Sequence, residues 1–290
     1  MKRILHLSDL HFCNPAFRLS ELFSKRSVGL LNFWFSRRYC LAPSQLSLLP
    51  AFAREYSVDT ILFTGDASTT GREKELFAAA QLLREIAGER GHILALPGNH
   101  DHYTKKDFQR KTFYRYFPSS PGFGKYTLKE HGVEAHLLQE GWFYVGIDTV
   151  ESTPLYSSQG VFSKKVEQNL RTLLAELPKM PIFLASHFPF FPFDAPRKTL
   201  QGGDRLENII AQDPRIEIYA HGHTHRSCIA DLREEGRGLI VDSGSVSLQG
   251  QGTFHLYDLL DQEIGIAVYQ ISAEKITPVR TMRLNRNTFQ

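Results

Sequence analysis

Short apolar runs along the chain alternate with longer stretches whose apolar residues recur at helical spacing. The short runs predict buried strands at 3–8, 60–64, 92–96, 142–147, 182–186 and 217–220. Between several of them, the spacing predicts helices at 43–56, 72–89, 105–116, 163–177 and 200–212. In the second helix Leu76, Ala79, Ala80 and Leu83 fall at i, i+3, i+4 and i+7, which places them on one buried face. This alternation of strands and helices indicates an α/β fold with buried sheets.

The pattern changes after Ser227, where strand-like runs follow one another with only short polar turns between them. These runs lie at 227–232, 238–242, 253–260 and 264–271. The pair 257–260 and 264–269, joined through Asp261, Gln262 and Glu263, is typical of a β-hairpin. We therefore expect the second half of the chain to add a sheet with an antiparallel tendency that packs on the first.

One segment, residues 16–41, fits neither pattern. It mixes basic side chains such as Arg18 and Arg37 with the apolar cluster Phe33, Trp34 and Phe35. We interpret it as a helical arm or cap inserted between the first strand and the next helix. Two roles are open: its aromatic residues could pack on the domain, or it could be an amphipathic surface element that contacts anionic lipid or a lipid-like substrate.

Composition and charge restrict the class of protein. The 290 residues are 42% hydrophobic and 22% charged, which is typical of a globular protein, and we expect a single domain over 1–290. A net charge of +3 is too small to indicate nucleic-acid binding. Three cysteines without a short-spaced pair indicate a reducing compartment. The N-terminus lacks the apolar core of a signal peptide and no apolar run reaches about 18 residues, so we expect a cytoplasmic protein.

Acidic, amide and imidazole side chains follow the predicted strands. Asp9 and His11 come after the first strand, and Asp66 comes after the second. Three later strands are followed by further groups of this kind: Asn99, His100, Asp101, His187, His223 and His225. Since the carboxyl ends of parallel strands form the sites of α/β proteins, we expect these groups to meet at one edge of the sheets.

The residue types predict a divalent-metal site. Carboxylates, an amide oxygen and imidazoles, without thiols, suit Mn, Fe, Zn or Co. The candidate ligands are too many for one tetrahedral ion and enough for two ions that share a carboxylate; they are Asp9, His11, Asp66, Asn99, His187, His223 and His225. We expect Asp66 to be the bridge, since it lies between the two groups along the chain. Two ions about 3.5–4 Å apart promote in-line displacement at phosphorus, with a metal-coordinated hydroxide as nucleophile.

Five sequence blocks together resemble the motif set of the calcineurin-like metallophosphoesterase family. They are Asp9-Leu10-His11, Gly65-Asp66, Gly98-Asn99-His100-Asp101, His187 and Gly222-His223-Thr224-His225, in the family's order. Each block alone also fits a turn, a helix cap or a core histidine, whereas all five in order are specific. The resemblance implies an αββα sandwich of two mixed β-sheets flanked by helices. It also implies one metal held by Asp9, His11, Asp66 and His225, and a second held by Asp66, Asn99, His187 and His223.

The same resemblance implies roles for two further residues. His100 would contact the phosphate and protonate the leaving oxygen, and Asp101 would orient His100. The chain departs from the family in two places. Ala67-Ser68-Thr69 follow Asp66, where many members have a bulkier residue and a further acid or amide, and the 16–41 insertion lengthens the gap from His11 to Asp66. The first departure affects the expected substrate contacts more than metal binding.

We expect a phosphohydrolase with two divalent ions, Mn being favoured, that acts on a phosphate ester. It would prefer diesters, because the His100 acid would assist an alkoxide leaving group. Three alternatives stay open. The hypothesis of a nuclease predicts a more basic surface. The hypothesis of a non-catalytic metal-binding scaffold predicts that some ligand positions hold residues that cannot bind metal. A hydrolase of a nucleotide-linked lipid precursor at the membrane surface has a precedent in family members with helical insertions. The natural substrate and the oligomeric state are not specified by the sequence.

Overall fold

The computed structural model describes residues 3–14, 26, 43–138, 141–154 and 157–286. The arm expected at 16–41 lies outside the described residues except for Arg26, so its two possible roles stay predictions. Within the described residues, no helix is both long and apolar enough to cross a membrane.

Strands and helices alternate through most of the described chain. The strands are β1 Arg3–Leu7, β2 Val58–Phe63, β3 His92–Ala95, β4 Val133–Leu137, β5 Phe143–Ile147, β6 Gly160–Val161, β7 Ile182–Ser186, β8 Leu200–Gln201, β9 Ile216–His221, β10 Ser227–Asp231, β11 Leu239–Ser243, β12 Gly252–Leu259, β13 Glu263–Ile271 and β14 Ile276–Asn285. The α-helices are α1 Leu49–Glu55, α2 Glu73–Ala87, α3 Lys105–Arg110, α4 Leu128–His131, α5 Lys164–Glu176 and α6 Gly203–Gln212. Short 3₁₀ turns lie at Pro43–Leu48, Thr112–Arg115, Pro196–Lys198 and Arg233–Glu235.

The first sheet has the strand order β14-β13-β12-β1-β2-β3. β1, β2 and β3 are parallel, whereas β12 runs antiparallel to β1 and continues through β13 and β14 as antiparallel neighbours. The connection from β2 to β3 passes through α2, since parallel neighbours need a long crossover connection. Short turns join β12 to β13 and β13 to β14. The carboxyl ends of β1, β2 and β3 therefore lie side by side.

The second sheet has the strand order β10-β11-β9-β7-β5-β4. Its four central strands are parallel, and the edge strands β4 and β10 are antiparallel to their neighbours. α5 connects β5 to β7 and α6 connects β7 to β9. The carboxyl ends of β7 and β9 are thus adjacent, as are those of the parallel strands in the first sheet.

The side chains of β7 alternate between two cores. Phe183 and Ala185 pack in the larger core with residues of the first sheet, while Ile182 and Leu184 pack in the second core with residues of α5 and α6. The Phe183 ring meets the Tyr257 ring of β12 edge to face, with centroids 5.1 Å apart. The two sheets therefore pack face to face with helices outside them, and the predicted αββα sandwich of two mixed sheets is confirmed.

The strands and helices predicted before residue 221 are confirmed, with changes at their ends. The helix predicted at 105–116 breaks at Lys111, whose left-handed φ of 48° separates α3 from a 3₁₀ turn. The helix predicted at 200–212 begins only at Gly203, because Leu200 and Gln201 pair with β6. The helix predicted at 43–56 begins as a 3₁₀ turn.

The expected arrangement of the C-terminal strands is wrong in one respect. They form no sheet of their own within the described residues: β12, β13 and β14 extend the first sheet, and β10 and β11 extend the second. The pattern also does not predict β4 or β14. β14 is an edge strand whose residues are exposed or half-buried throughout, so it lacks the alternation that marks a half-buried strand.

Candidate metal centre

The loops that follow five strands meet at one edge of the two facing sheets. The loops after β1 and β2 are joined by backbone hydrogen bonds: the Asp9 N–H donates to the Gly65 carbonyl oxygen over 2.9 Å, and the His11 N–H donates to the Asp66 carbonyl oxygen over 2.9 Å. These bonds continue the parallel pairing of the two strands beyond their ends. They bring the side chains of the two loops to the same place.

Asp9, His11 and His225 form the first cluster of potential ligands. His225 Nε2 lies 3.0 Å from Asp9 Oδ1 and 3.0 Å from His11 Nε2, and His11 Nε2 lies 3.4 Å from Asp9 Oδ1. Asp9 and His11 are buried, whereas His225 is half-buried. A carboxylate from the first sheet thus faces an imidazole from the second across a gap that one ion would fill.

Asp66 lies between this first cluster and a second one. Its Oδ2 atom is 3.8 Å from His11 Nε2 and 3.6 Å from His187 Nε2. Its other oxygen, Oδ1, accepts a hydrogen bond of 2.8 Å from the His100 backbone N–H. Asp66 also groups with Asp9 and His187 within 4.8 Å. One oxygen of Asp66 therefore faces imidazoles on both sides, as a bridging ligand does.

Asn99 and His223 are the two remaining predicted ligands. Asn99 Oδ1 lies 3.2 Å from His187 Nε2, so the amide oxygen belongs to the second cluster. The His223 ring is 5.1 Å from the His187 ring between centroids, and its Nε2–H donates to the Lys198 carbonyl oxygen over 2.9 Å. The Lys198 carbonyl therefore leaves Nδ1 of His223 as the nitrogen with a lone pair.

The protonation states of the cluster suit metal binding. The Nδ1–H of His187 donates to the Thr64 carbonyl oxygen over 2.7 Å, which leaves the lone pair of Nε2 directed at Asn99 and Asp66. Burial lowers the pKa of His187 and of His223, so both imidazoles are neutral near pH 7. Burial alone would raise the pKa of Asp9, but the neighbouring His225 and His11 hold it well below its usual range. Neutral imidazoles and ionised carboxylates are the forms that coordinate metals.

Five of the predicted ligands have backbone conformations that residues other than glycine seldom adopt. They lie in the left-handed region, with φ of 57° at Asp9, 49° at His11, 57° at Asp66, 68° at His223 and 58° at His225. Each such residue costs on the order of 1 kcal/mol and persists only where the surroundings impose it. This concentration of strain at one place marks the cluster as a functional site.

Glycines allow two pairs of loops to approach each other, those after β2 and β3 and those after β1 and β9. A Cβ at Gly98 would lie 2.1 Å from Asp66 Oδ1 and 2.3 Å from the Asp66 backbone nitrogen. A Cβ at Gly222 would lie 1.9 Å from the Ser8 hydroxyl oxygen. In both cases a side chain would displace a loop that carries predicted ligands, so only glycine fits.

Asp101, which the resemblance implies orients His100, forms its hydrogen bonds with the two loops around it. The Asp101 carboxylate is buried and accepts its hydrogen bonds from the backbone N–H groups of Gly98, Ala67 and Ser68, at 2.9 to 3.2 Å, and from the Ser68 hydroxyl. It therefore fastens the loop after β3 to the loop after β2. The His100 ring is instead oriented by its Nδ1, which lies 2.7 Å from the Thr69 carbonyl oxygen.

The donor set fits two divalent ions. Metal–ligand bonds of about 2.0–2.2 Å place neighbouring donor atoms about 3.0–3.5 Å apart. The observed separations around Asp9, His11 and His225 are 3.0 to 3.4 Å, and those around Asp66 are slightly longer at 3.6 and 3.8 Å. Of the cysteines in the described ranges, neither Cys13 nor Cys228 belongs to these clusters. The donors are thus nitrogen and oxygen, as expected for ions such as Mn, Fe or Zn.

Several groups that hold the histidines of the site in place were not evident as polar motifs in the sequence. Three histidine rings are hydrogen-bonded to backbone carbonyl oxygens: His187 to Thr64, His100 to Thr69 and His223 to Lys198. Every residue has a backbone carbonyl group, so the sequence does not reveal which ones take part. The glycines, in contrast, are visible in the sequence. A glycine stands directly before three of the polar blocks, at Gly65, Gly98 and Gly222. Glycine at such a position indicates a loop that another part of the backbone approaches closely.

Comparisons with known proteins agree with this fold. A dimetal phosphatase from Danio rerio superposes with a TM-score of 0.64 at 11% identity, covering 98% of this chain and 99% of that one. A purple acid phosphatase from yellow lupin (Lupinus luteus) seeds superposes with a TM-score of 0.60 at 10% identity, covering 99% of this chain and 54% of that one. At such low identity, these likenesses show a shared fold.

Sequence comparison gives the family. A search of curated proteins finds no match. The sequence model of the calcineurin-like phosphoesterase family matches residues 2–227, which include all five of the blocks found in the sequence. The resemblance is thereby confirmed, and the chain belongs to the calcineurin-like phosphoesterase family.

Proposed function

We propose that this protein is a dinuclear metal-dependent phosphohydrolase that prefers phosphodiesters. The observation that carries the proposal is the position of Asp66 Oδ2, which lies 3.8 Å from His11 Nε2 and 3.6 Å from His187 Nε2. A single oxygen between imidazoles from opposite sheets suits two ions that share one carboxylate. Such a pair is the arrangement that clamps both the attacking and the leaving oxygen of an in-line displacement.

The residues divide into two sets around the bridge. The first ion would be held by Asp9, His11, Asp66 and His225, and the second by Asp66, Asn99, His187 and His223. When bound, two divalent ions, with Mn favoured, would act as Lewis acids and lower the pKa of a water molecule towards about 7. The chain itself supplies the orientation, because carbonyl oxygens fix the rings of His187 and His223.

His100 is the group we assign to the leaving oxygen. One of its ring nitrogens groups with His11 and Asp66 within 4.8 Å, so the ring is next to the proposed ions. Its Nδ1 lies 2.7 Å from the Thr69 carbonyl oxygen and its ring stacks on Tyr103 at 5.3 Å between centroids, which together fix its orientation. A protonated His100 would donate its Nε2 proton to the departing alkoxide. Asp101 would act indirectly, by fastening the loop that carries His100.

The proposed preference for diesters is slight, because a positioned acid also assists the alkoxide that leaves a monoester. An alkoxide is a poor leaving group and gains most from a positioned acid, and proton transfer of this kind contributes about 10²–10⁴-fold in rate. The test is the hydrolysis of bis-p-nitrophenyl phosphate beside p-nitrophenyl phosphate, with metal-stripped protein and added Mn²⁺. We expect turnover that requires the metal and is faster on the diester.

Two substitutions make this test specific. Asn99→Ala removes one proposed ligand and should lower turnover at least about tenfold. Asn208→Ala changes an exposed amide on α6 and should leave turnover unchanged. If neither substrate is turned over while Mn²⁺ binding is demonstrated, the protein is a binding scaffold or requires a substrate that these esters do not resemble. Equal turnover with and without metal would contradict the proposal.

The membrane-surface alternative concerns the 16–41 segment, most of which lies outside the described residues. Its support is the interleaving of basic and aromatic residues in the sequence, including Phe33, Trp34 and Phe35. Changing these three residues to Ser should reduce binding to liposomes that contain anionic lipid. Unchanged liposome binding by a folded variant would leave lipid contact without support, and the partner would then be a small phosphate ester alone.

A further inference from the structure

A basic cavity lies beside the metal centre. It has a volume of about 420 Å³, and in the described part of the chain it is lined by the start of α2, by α3 and by Arg26. We propose that this cavity binds a second phosphate group of the substrate, one that is not hydrolysed. The proposal rests on the phosphohydrolase function proposed above and adds the class of substrate, a phosphate ester with a further phosphate.

The charges that line the cavity leave a positive excess. Two carboxylates line it, but each is already paired: Asp107 accepts hydrogen bonds of 2.8 and 2.9 Å from Arg26, and Glu73 accepts one of 3.0 Å from Arg115. Other basic side chains line the same space: Arg72, Lys74, Lys106 and Arg110. Within the described residues Lys74, Lys106 and Arg110 form no salt bridge, so their charge is available to an anion.

The cavity is close to the proposed reaction site. Gly71, which lines it, lies two residues after Thr69, whose carbonyl oxygen contacts the His100 ring. Two residues of chain span at most about 7 Å. A Cβ at Gly71 would also lie 3.3 Å from the His100 carbonyl oxygen, so the wall of the cavity contacts the loop that carries His100. The cavity is therefore adjacent to the loop that carries His100.

The wall on the Gly71 side is held rigidly by a buried acid. Glu75 accepts hydrogen bonds from the backbone N–H groups of Asn14, Thr70 and Arg72, at 2.8 to 3.3 Å. Arg26 reaches the same wall and donates to the carbonyl oxygens of Thr70 and Gly71, at 3.1 and 3.3 Å. The backbone around the cavity is thus fixed before a ligand binds, which reduces the entropy cost of binding.

Charge reversals on one helix test the proposal. Lys106→Glu and Arg110→Glu remove charges that line the cavity, and Lys105→Glu makes the same change of net charge at the neighbouring position, which does not line it. The first readout is the binding of inorganic pyrophosphate to the full chain after chelation of its metals, which does not depend on hydrolysis. We expect the dissociation constant to rise about tenfold for Lys106→Glu and Arg110→Glu, and less than about twofold for Lys105→Glu.

The second readout is substrate selectivity of the metal-loaded enzyme. It compares kcat/KM for bis(p-nitrophenyl) pyrophosphate with kcat/KM for bis(p-nitrophenyl) phosphate, which differ by one phosphate. The ratio should fall about fivefold or more in Lys106→Glu and Arg110→Glu, and stay constant in Lys105→Glu.

Three outcomes would overturn the proposal. Pyrophosphate binding that is unchanged in Lys106→Glu and Arg110→Glu would exclude an anion site, and an equal loss in Lys105→Glu would reduce the effect to general surface charge. If pyrophosphate binding weakened while the ratio of the two kcat/KM values stayed unchanged, the cavity would bind a free phosphate ligand and not the substrate. A loss of all hydrolysis would concern the metal centre, and the pyrophosphate readout would still decide whether the cavity binds anions.

Discussion

At the scale of single residues, the candidate centre depends on backbone conformations that most residues other than glycine avoid. Asp9, His11 and Asp66 have left-handed φ values next to the ends of their strands, and glycines stand where the loops touch. These conformations turn each side chain away from the direction of its strand and towards the ligands of the neighbouring loop. The strain is tolerated because hydrogen bonds to Asp101 and to strand carbonyl groups hold the loops together.

We predict that Gly98→Ala weakens metal binding more than it weakens the fold. Its Cβ would meet Asp66 Oδ1 at 2.1 Å, so the carboxylate proposed to bridge the two ions must move. Overpacking of this kind costs about 1–3 kcal/mol in stability, and the displaced carboxylate should raise the dissociation constant for Mn²⁺ at least about tenfold. Calorimetric titration of Mn²⁺ together with thermal unfolding measures both effects.

Gly88→Ala is the control for this substitution. Gly88 ends α2 with a φ of 64°, but a Cβ there would meet nothing within 4 Å. Its φ of 64° and ψ of −166° lie in a region that glycine alone adopts readily, so the variant should show the cost of backbone strain alone, about 1–3 kcal/mol, with unchanged Mn²⁺ affinity. If Gly98→Ala bound Mn²⁺ as tightly as Gly88→Ala, close contact with Asp66 would not be what requires glycine at position 98.

At the scale of elements, the ends of strands and the starts of helices position the centre. α3 begins at Lys105, soon after the loop that carries Asn99 and His100, and is only one to two turns long. Such a short helix depends on its cap. Thr104 accepts a hydrogen bond of 3.2 Å from the Asp107 N–H, and Asp107 accepts one of 3.2 Å from the Thr104 N–H.

We predict that Thr104→Ala lowers both stability and metal affinity. Loss of the cap should cost about 1 kcal/mol and release the end of the loop that holds Asn99. Ser163→Ala removes the corresponding cap of α5, where the Ser163 hydroxyl accepts from the Val166 N–H over 3.3 Å. That variant should lose similar stability and keep its Mn²⁺ affinity. Urea unfolding and Mn²⁺ titration of the two variants compare them, and equal Mn²⁺ affinity in both would refute the link between this cap and the centre.

At the scale of the whole molecule, the centre joins two sheets. Asp9 and Asp66 follow strands of the first sheet, whereas His225 and His187 follow strands of the second. Asp9 is paired with His225, and Asp66 with His187. An ion bound by both members of such a pair would connect the two halves of the sandwich. Metal binding should therefore stabilise the whole fold, since the unfolded chain does not keep these ligands together.

We predict that Mn²⁺ raises the free energy of unfolding by about 2.7 kcal/mol at a concentration 100 times its dissociation constant. A chelator should remove this increment. Asp9→Asn should abolish it, because Asp9 groups both with His11 and His225 and with Asp66 and His187. Asp258→Asn removes a carboxylate that pairs with Arg3 on the surface and should keep the increment. Thermal unfolding with and without Mn²⁺ measures it, and stabilisation that survives in Asp9→Asn would place the metal elsewhere.

Local pattern was sufficient for most elements of the fold and for the residue types of the centre. Helical spacing predicted α2 to within a few residues because its buried face is continuous, with Leu76, Ala79 and Leu83 all fully buried. The order of five polar blocks predicted the family, since each block is a short run of neighbouring residues and the order of the blocks along the chain needs no knowledge of their contacts. Edge strand β14 was not predicted, because both its faces are largely exposed and its pattern carries no periodicity.

The sequence by itself therefore determined the α/β class, the family and which side chains could bind metal. Only the tertiary structure decided which strands share a sheet, that Asp66 Oδ2 faces both His11 and His187, and that Asp101 fastens two loops. The physical reason is the range of the interactions. Helical and strand periodicity are local properties, whereas sheet order and the contacts of a carboxylate join residues far apart in the chain. Backbone carbonyl groups such as those of Thr64 and Lys198 acquire their role only when the fold brings a histidine to them.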